Sequence, residues 1–130
     1  MEQNRILLVD DCVDNRRLFS IYLKKTCAEV ILVGNGQEGV NAVEAALQAG
    51  KSFDLILMDV QMPVMDGLTA TKILRERGID APIVALTAND THEERESCYA
   101  AGFSDFLPKP IQRSTLISVV AKIIDAKSRP

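Results

Sequence analysis

Short apolar runs recur at regular intervals along the chain, and a segment with helical spacing follows each of them. The runs are rich in Ile, Val and Leu and are mostly continuous rather than alternating with polar residues. Continuous apolar runs are typical of strands that are covered on both faces, as in a parallel sheet. The pattern predicts five strands, at Arg5–Val9, Glu29–Val33, Asp54–Met58, Pro82–Leu86 and Phe103–Leu107.

Helical segments lie between and after these runs. Side chains at helical spacing mark four of them, at Leu18, Phe19, Tyr22 and Leu23, at Val40, Val43 and Leu47, at Leu68 and Thr71, and at Leu116, Val120 and Ile123. Five β-α units in this rhythm predict one α/β domain over residues 1–130, built as an open parallel sheet with helices on both faces.

Polar residues and glycine mark several helix ends. Asp14 is expected to cap the first helix, and Thr91 and Glu94 have the spacing of a capping box at the fourth. Gly102 stands where a left-handed residue would end that fourth helix. The fourth helix is also unusually polar, which fits either a simply solvated helix or a partner-binding face.

Composition narrows the function classes. Of the 130 residues, 47% are hydrophobic, which is enough for a core that needs no metal or disulfide support. The net charge of -3 is the wrong sign for a nucleic-acid-binding surface. No apolar run approaches the ~20 residues of a membrane span, and the first residues lack the apolar stretch of a signal peptide. We therefore expect a cytoplasmic protein without direct contact to nucleic acid or membrane.

The cysteines agree with a reducing compartment. Cys12, Cys27 and Cys98 are odd in number, widely spaced and not in a Cys-x-x-Cys pair, so no disulfide framework is expected. We expect Cys27 and Cys98 to be buried or half-buried thiols. Cys12, beside two acids, should stay protonated and serve packing or loop structure.

Acidic residues follow two of the predicted strands directly. Asp10 and Asp11 come after the first strand and Asp59 after the third, while Thr87 ends the fourth and Lys109 follows the fifth. Ligand sites of parallel α/β sheets lie beyond the carboxyl ends of the strands. A strand order of 2-1-3-4-5 would make the first and third strands neighbours and bring the three acids together.

Three close carboxylates need compensation, because two unit charges 4 Å apart repel by about 4 kcal/mol at an effective dielectric near 20. One lysine cannot offset three acids, so a divalent cation is the better solution. Carboxylates with free positions for water favour Mg²⁺, whereas zinc would favour His or thiolate. A carboxylate beside Mg²⁺ can accept a phosphoryl group covalently, with Lys109 and Thr87 placed to contact its oxygens.

Four motifs in this order resemble the receiver domains of two-component response regulators, and the likeness covers nearly the whole chain. They are residues 6–11 (Ile-Leu-Leu-Val-Asp-Asp), 58–67 (Met-Asp-Val-Gln-Met-Pro-Val-Met-Asp-Gly), 85–89 (Ala-Leu-Thr-Ala-Asn) and 109–110 (Lys-Pro). The resemblance implies a doubly wound, flavodoxin-like (βα)5 fold with sheet order 2-1-3-4-5. The second and third motifs are most similar to receivers attached to hybrid sensor histidine kinases.

The resemblance also implies roles for individual residues. Asp59 would be the phosphoacceptor, and Asp11, Asp59 and the Gln61 backbone carbonyl would bind Mg²⁺, with Asp10 assisting through water. Thr87 and Lys109 would contact the phosphoryl group. Further expectations are that Phe106 is the aromatic switch residue, that the Lys109–Pro110 peptide is cis and that Pro108 lies in an edge strand.

At the level of the whole protein, the resemblance implies a phosphorelay switch rather than an enzyme. Its own phosphotransfer and a slow autodephosphorylation would be its chemistry, and a histidine kinase or histidine phosphotransfer domain would be its partner. The last helix is expected to run to about Lys127 without an output domain after it. The chain would then be either a free-standing receiver or a segment of a larger hybrid kinase.

Three other interpretations compete with this one. Gly34-Asn35-Gly36-Gln37-Glu38-Gly39 matches G-x-G-x-x-G, but this motif is weak alone, follows the second strand and carries an acid where a pyrophosphate would lie. A haloacid-dehalogenase-like phosphatase would need Asp-x-Asp, which neither Asp10 nor Asp59 begins. A phosphorylation-independent receiver-like interaction module usually lacks one of the acids, the Thr or the Lys, and this chain has them all.

Overall fold

Five parallel strands form one sheet. The computed structural model describes residues 3–128, and their side chains as far as Ile124. The strands are β1 (Arg5–Val9), β2 (Glu29–Val33), β3 (Leu55–Asp59), β4 (Ile83–Thr87) and β5 (Asp105–Pro108). Their order in the sheet is β2-β1-β3-β4-β5, and every neighbouring pair is parallel. The predicted doubly wound fold and its strand order are confirmed.

A helix follows each strand. They are α1 (Val13–Leu23), α2 (Gly36–Gln48), α3 (Gly67–Glu76), α4 (His92–Ala101) and α5 (Arg113–Ser128), with a short 3-10 turn over Lys24–Thr26 after α1. No helix in the part of the chain that the structure describes is long and apolar enough to cross a membrane.

The sheet is buried on both faces because consecutive strand residues point to opposite sides. In β1, Leu7 and Val9 pack with residues of α2, α3 and α4, whereas Ile6 and Leu8 pack with residues of α1 and α5. All four of these side chains are fully buried. This two-sided burial explains why the strands are continuous apolar runs in the sequence.

Three predicted strands differ from the observed ones at their ends. β3 and β4 each begin and end one residue later than the predicted ranges, so Asp59 is the last residue of β3 rather than the residue after it, and Thr87 is the last residue of β4. The fifth strand begins at Asp105 rather than at Phe103. Phe103 is buried, but its N–H donates to the Cys98 carbonyl in the turn that follows α4, so its apolar character reflects packing and not strand pairing.

The predictions about helix ends and about Pro108 can be compared with the structure. Thr91 caps α4 by accepting a hydrogen bond from the Glu94 N–H at 3.1 Å, and Gly102 ends that helix with a φ of 111°. The predicted Asp14 cap is wrong, because the N-cap of α1 is Cys12, and Asp14 lies in the first turn. Pro108 lies in the edge strand β5, as expected.

Two leucines of the helical patterns and one of the three cysteines lie at the surface. Leu18 is 41% exposed and Leu47 is 51% exposed, although both have helical spacing. Cys98 is buried as expected, but the expectation for Cys27 is wrong: it is exposed and has a φ of 57°. Cys27 directly follows the 3-10 turn, where the chain reverses towards β2.

Candidate functional site

Three carboxylates meet where β1 and β3 end. These strands are neighbours, and Val9 is in register with Met58, so Asp10 and Asp59 follow at the same level of the sheet. One carboxylate oxygen each of Asp10, Asp11 and Asp59 lies within 4.8 Å of the other two. Asp10 is fully buried and Asp59 is 4% exposed, whereas Asp11 is exposed to solvent. The predicted acidic cluster is therefore present in the fold.

Lys109 brings one positive charge to this cluster. Its Nζ atom lies 3.2 Å from Asp59 Oδ2 and 3.8 Å from Asp10 Oδ2. The Lys109 N–H also donates to the Thr87 carbonyl at 2.6 Å, and the Lys109–Pro110 peptide is cis, as the resemblance implied. The backbone beyond β5 is thus tied to the end of β4 with the ammonium directed towards the acids.

The β1–α1 loop holds Asp10 in place. Asp10 Oδ1 accepts a hydrogen bond from the Cys12 N–H at 2.9 Å, and Oδ2 accepts one from Asn15 Nδ2 at 3.4 Å. The Arg16 guanidinium donates to the Asp10 carbonyl at 2.6 Å. The roles of Asn15 and Arg16 were not predicted, although they follow Asp11 by only four and five residues.

Burial shifts the pKa of the Asp59 carboxyl. It raises the pKa of the Asp59 carboxyl from 3.8 to about 6, and the charge of Asp10 acts in the same direction. Lys109 and the N–H of Gln61, which donates to Asp59 Oδ1 at 3.3 Å, oppose this rise in pKa. Asp59 is therefore a carboxylate whose negative charge is disfavoured unless a further positive charge joins the site.

The donor set suits a hard divalent cation. Asp11 and Asp59 line a cleft of about 180 Å³ together with Gln61 and Lys109, and a carboxylate oxygen of the buried Asp10 lies within 4.8 Å of both acids. Oxygen ligands with room for water are what Mg²⁺ prefers. Cys12 lines the same cleft and is exposed, but a single thiol among carboxylates does not make a zinc site. The chemistry of the residues present thus fits Mg²⁺.

Thr87 also lines this cleft. It ends β4, which lies two strands away from β1, the strand that precedes Asp11. It is 4% exposed, and its hydroxyl accepts a hydrogen bond from the Asn89 N–H at 3.0 Å and donates to the Asn89 carbonyl at 3.2 Å. The hydroxyl is therefore engaged by the loop that leads into α4. A change in the position of Thr87 would have to break these contacts.

Phe106 is half-buried on β5, beside α4. The Arg95 guanidinium carbon lies 4.5 Å from the centre of the Phe106 ring, and the Tyr99 ring meets it edge-on at 6.3 Å. Two side chains of α4 thus hold the aromatic residue against the outer part of the sheet. The sequence had singled out Phe106 but not its neighbours.

Gly67 places the start of α3 directly against the acidic cluster. Its N–H donates to the Val60 carbonyl at 2.9 Å, and a Cβ atom at this position would lie 2.2 Å from the Asp59 carbonyl oxygen. Asp66 caps α3 by accepting from the Thr69 N–H at 2.8 Å. The Asp-Gly end of the second motif therefore serves the close approach of a helix to the Asp59 backbone.

The glycine-rich string after β2 serves packing. A Cβ atom on Gly36 would lie 2.5 Å from the Met65 carbonyl oxygen. At the start of α2, Asn35 accepts from the Glu38 N–H, and the Glu38 carboxylate accepts from the Gly34 N–H at 2.7 Å. The chain's own side chains thus occupy the position where a dinucleotide pyrophosphate would bind, and the dinucleotide interpretation has no structural support.

Residues 6–121 match the protein-family model described as the response regulator receiver domain. The chain belongs to this family. Receiver domains act as phosphoacceptor switches in two-component phosphorelays, so the function class expected from the four motifs is confirmed, and the phosphorylation-independent alternative is not favoured.

Individual relatives agree with this assignment. The receiver is 44% identical over 123 residues to the sensor protein GacS of Pseudomonas syringae pv. syringae, covering 91% of this chain and 13% of that protein. It is 41% identical over 129 residues to hybrid signal transduction histidine kinase M of Dictyostelium discoideum, covering 95% of this chain and 5% of that protein. The chain thus spans a small part of these relatives, which are hybrid or sensor kinases.

A solved structure with a similar fold contains a metal ion. The receiver domain of the sensor histidine kinase PA1611 from Pseudomonas aeruginosa PAO1 has a TM-score of 0.83 and 36% sequence identity, covering 95% of this chain and 99% of that one. That structure has a magnesium ion coordinated in its active-site cleft. The acidic cluster of the present receiver is suited to the same kind of ion.

Proposed function

We propose that Asp59 accepts a phosphoryl group from a phosphohistidine, in a site that binds Mg²⁺. The observation that carries this proposal is the position of Asp59, buried at the end of β3 between two further carboxylates and the Lys109 ammonium. Asp11, Asp59 and the Gln61 backbone carbonyl would be the direct metal ligands, and Asp10 would assist through a water molecule. When bound, Mg²⁺ would neutralise negative charge on the phosphoryl oxygens.

In the transfer step, an Asp59 carboxylate oxygen forms a bond to phosphorus while the bond between phosphorus and the donor imidazole nitrogen breaks. The imidazole keeps the electron pair of that bond. Lys109, already 3.2 Å from Asp59, would contact one phosphoryl oxygen, and the Thr87 hydroxyl would contact another. This transfer and a slow hydrolysis of the aspartyl phosphate would be the only reactions that the receiver carries out itself.

The conformational change would follow from competition between Asn89 and the phosphoryl group for the Thr87 hydroxyl. In the structure its hydroxyl is bound to Asn89, so a phosphoryl group on Asp59 would draw it away from the loop. Phe106 would then move into the space that Thr87 leaves. The surface formed by α4 and the following elements would change, and with it the preference for a partner.

An apolar patch on α1 supports a protein as the phosphodonor. Val13 is 50% exposed, Leu18 is 41% exposed and Ile21 is 60% exposed, and all three lie on the helix that begins directly after Asp11 and Cys12. Exposed apolar patches of this kind mark contact sites for other proteins. We propose that a histidine kinase or histidine phosphotransfer domain docks here and presents its phosphohistidine to Asp59.

The remaining expectations about the whole protein are also proposals. Residues 1–130 would form one receiver domain in the cytoplasm, without direct contact to nucleic acid or membrane, in keeping with a net charge of -3. The kinase relatives make attachment to a larger hybrid kinase an attractive arrangement, with a free-standing receiver as the other. The length of the complete gene distinguishes the two.

The central test is phosphorylation by acetyl phosphate in the presence of Mg²⁺, followed by intact-protein mass spectrometry. The wild-type receiver should gain one phosphoryl group, and Asp59→Asn should gain none. Asp80→Asn is the matched control, because Asp80 is an exposed acid before β4, at the opposite edge of the sheet. Full labelling of Asp59→Asn would disprove the assignment of the acceptor. A wild-type protein that stays unlabelled would instead indicate a phosphorylation-independent module.

A further inference from the structure

The loop between β4 and α4 connects the two proposed switch residues through a charged pair. Asn89 in this loop holds the Thr87 hydroxyl. The next residue, Asp90, accepts hydrogen bonds from Nε and Nη2 of Arg95 at 2.9 and 2.7 Å. The Arg95 guanidinium in turn lies over the Phe106 ring, 4.5 Å from its centre. Thr87 and Phe106 are therefore both tied to one short loop.

We propose that Arg95, positioned by Asp90, is a latch. It holds Phe106 in the position that this ring has before Asp59 is phosphorylated. This inference rests on the proposed function, since it takes Phe106 as the residue that moves upon phosphorylation. Arg95 and Tyr99 are one helical turn apart on α4, so they face the ring from the same side. Asp90 orients the guanidinium through two hydrogen bonds, and the guanidinium carbon lies within cation–π distance of the Phe106 ring.

The hydrogen bonds of Thr87 indicate which state of the switch the structure shows. Its hydroxyl is hydrogen bonded to Asn89 and not drawn towards Asp59, so the contacts seen here belong to the state before phosphorylation. Movement of Thr87 would release Asn89 and shift the loop that carries Asp90. The Arg95 guanidinium would then lose its orienting partner, and the Phe106 ring would be freed. Arg95 thus opposes activation until the loop moves.

The contacts of Arg95 with Asp90 and Phe106 indicate how strongly the latch would change the population of the active state. The Arg95 and Asp90 side chains are 48% and 43% exposed, so solvent weakens the ion pair. A cation–π contact at such a site changes an equilibrium by about two- to fivefold. When the active state is a minor population, its share and the apparent affinity of a ligand that selects it rise by the same factor. A variant without the latch should therefore bind a phosphoryl mimic more tightly.

The test is titration with beryllium trifluoride and Mg²⁺, followed by NMR. Arg95→Gln should bind about two- to fivefold more tightly than wild type, and Arg95→Lys should lie between the two. Asp90→Asn should also bind more tightly, and adding it to Arg95→Gln should have no further effect, because Asp90 acts through Arg95. The matched control is Arg77→Gln, which breaks an exposed ion pair with Glu44 away from Phe106.

A second signal reports the contact itself. Without any ligand, the NMR signals of the Phe106 ring should move in Arg95→Gln and stay in place in Arg77→Gln, while circular dichroism confirms that both variants are folded. Unchanged or weaker beryllium trifluoride binding by Arg95→Gln would overturn the latch. If wild type itself failed to bind the mimic, the proposed function would fail, and unmoved Phe106 signals in Arg95→Gln would separately overturn the latch.

Discussion

The Lys109 ammonium lies 3.2 Å from the Asp59 carboxylate, at the point where the ends of β3 and β5 face the same cleft. A carboxylate oxygen of Asp10 and one of Asp11 lie within 4.8 Å of Asp59, and Lys109 is the cation that pairs with the carboxylates of Asp10 and Asp59 in the described structure. The imbalance explains why burial and the Asp10 charge can raise the pKa of Asp59 to about 6 despite the nearby lysine. It also explains why the site is suited to a divalent cation.

The raised pKa predicts that Asp59 destabilises the metal-free receiver at neutral pH. Because the folded protein binds the Asp59 proton more tightly than the unfolded chain does, this residue favours folding below its unfolded pKa of 3.8. That stability is lost as the pH rises through about 6. In EDTA, Asp59→Asn should therefore be more stable than wild type by about 2–3 kcal/mol at neutral pH, measured by urea unfolding.

The sign of the pH dependence provides the check on this prediction. The stability difference between Asp59→Asn and wild type should be small near pH 4 and should grow until the pH exceeds about 6. A difference that stayed constant over this range would contradict a raised pKa for Asp59.

Removal of the metal should destabilise the wild-type receiver but should have little effect on an Asp11→Asn variant. Mg²⁺ at 100 times its Kd stabilises a folded protein that binds it by about 2.7 kcal/mol. We expect thermal unfolding of wild type to shift upwards with Mg²⁺ and to return with EDTA. Asp11→Asn should lose most of this shift while keeping the same fold, because Asp11 is exposed and its carboxylate belongs to the proposed ligand set. An equal shift in both proteins would show that the ion binds elsewhere.

Arg75 is predicted to be a main structural support outside the site. Its guanidinium donates to the carbonyls of Gly102, Ile79 and Ala81 at 2.7 to 2.9 Å, and it reaches the Ser104 hydroxyl at 3.3 Å. It therefore ties the segment before β4 to the segment before β5. Arg75→Met should lower the free energy of unfolding by about 2–4 kcal/mol, measured by urea denaturation.

The neighbouring Arg77 is the control for this prediction. Its ion pair with Glu44 joins two side chains that are 50% and 42% exposed, so Arg77→Met should change stability by less than about 1 kcal/mol. Similar losses in both variants would mean that the charge, and not the hydrogen bonds to the loop carbonyls, supports the fold.

The sequence predicted the fold well because the strands are buried on both faces. Apolar runs such as Ile6–Val9 have no other place than the centre of a parallel sheet, and the acids that follow them must lie at its carboxyl edge. Strand ends were less certain, since Asp59 and Thr87 are polar and yet continue their strands. Phe103 was misplaced for the opposite reason: it is apolar and buried but lies in a turn.

The supporting residues of the site could not be predicted in the same way. Arg16, Arg75 and Arg95 are ordinary charged residues in helical segments, and their roles depend on carbonyls or rings that are distant in the sequence. Asn15 likewise reaches Asp10 only because the β1–α1 loop turns back. Such contacts require the tertiary structure, whereas the acids, Thr87 and Lys109 could be found from their positions after the strands.

Gly67 gives the sharpest test of how the fold positions Asp59. A Cβ atom at this position would lie 2.2 Å from the Asp59 carbonyl oxygen, and the backbone on either side cannot yield without moving β3 or α3. Gly67→Ala should lower the free energy of unfolding by about 3–4 kcal/mol and should weaken Mg²⁺ binding, because Asp59 would be displaced. Gly50→Ala is the control: Gly50 has a φ of 73° but open space around it, so its alanine variant should cost about 1–2 kcal/mol and leave Mg²⁺ affinity unchanged. If Gly67→Ala bound Mg²⁺ as tightly as Gly50→Ala, the close approach of α3 would not be what positions Asp59.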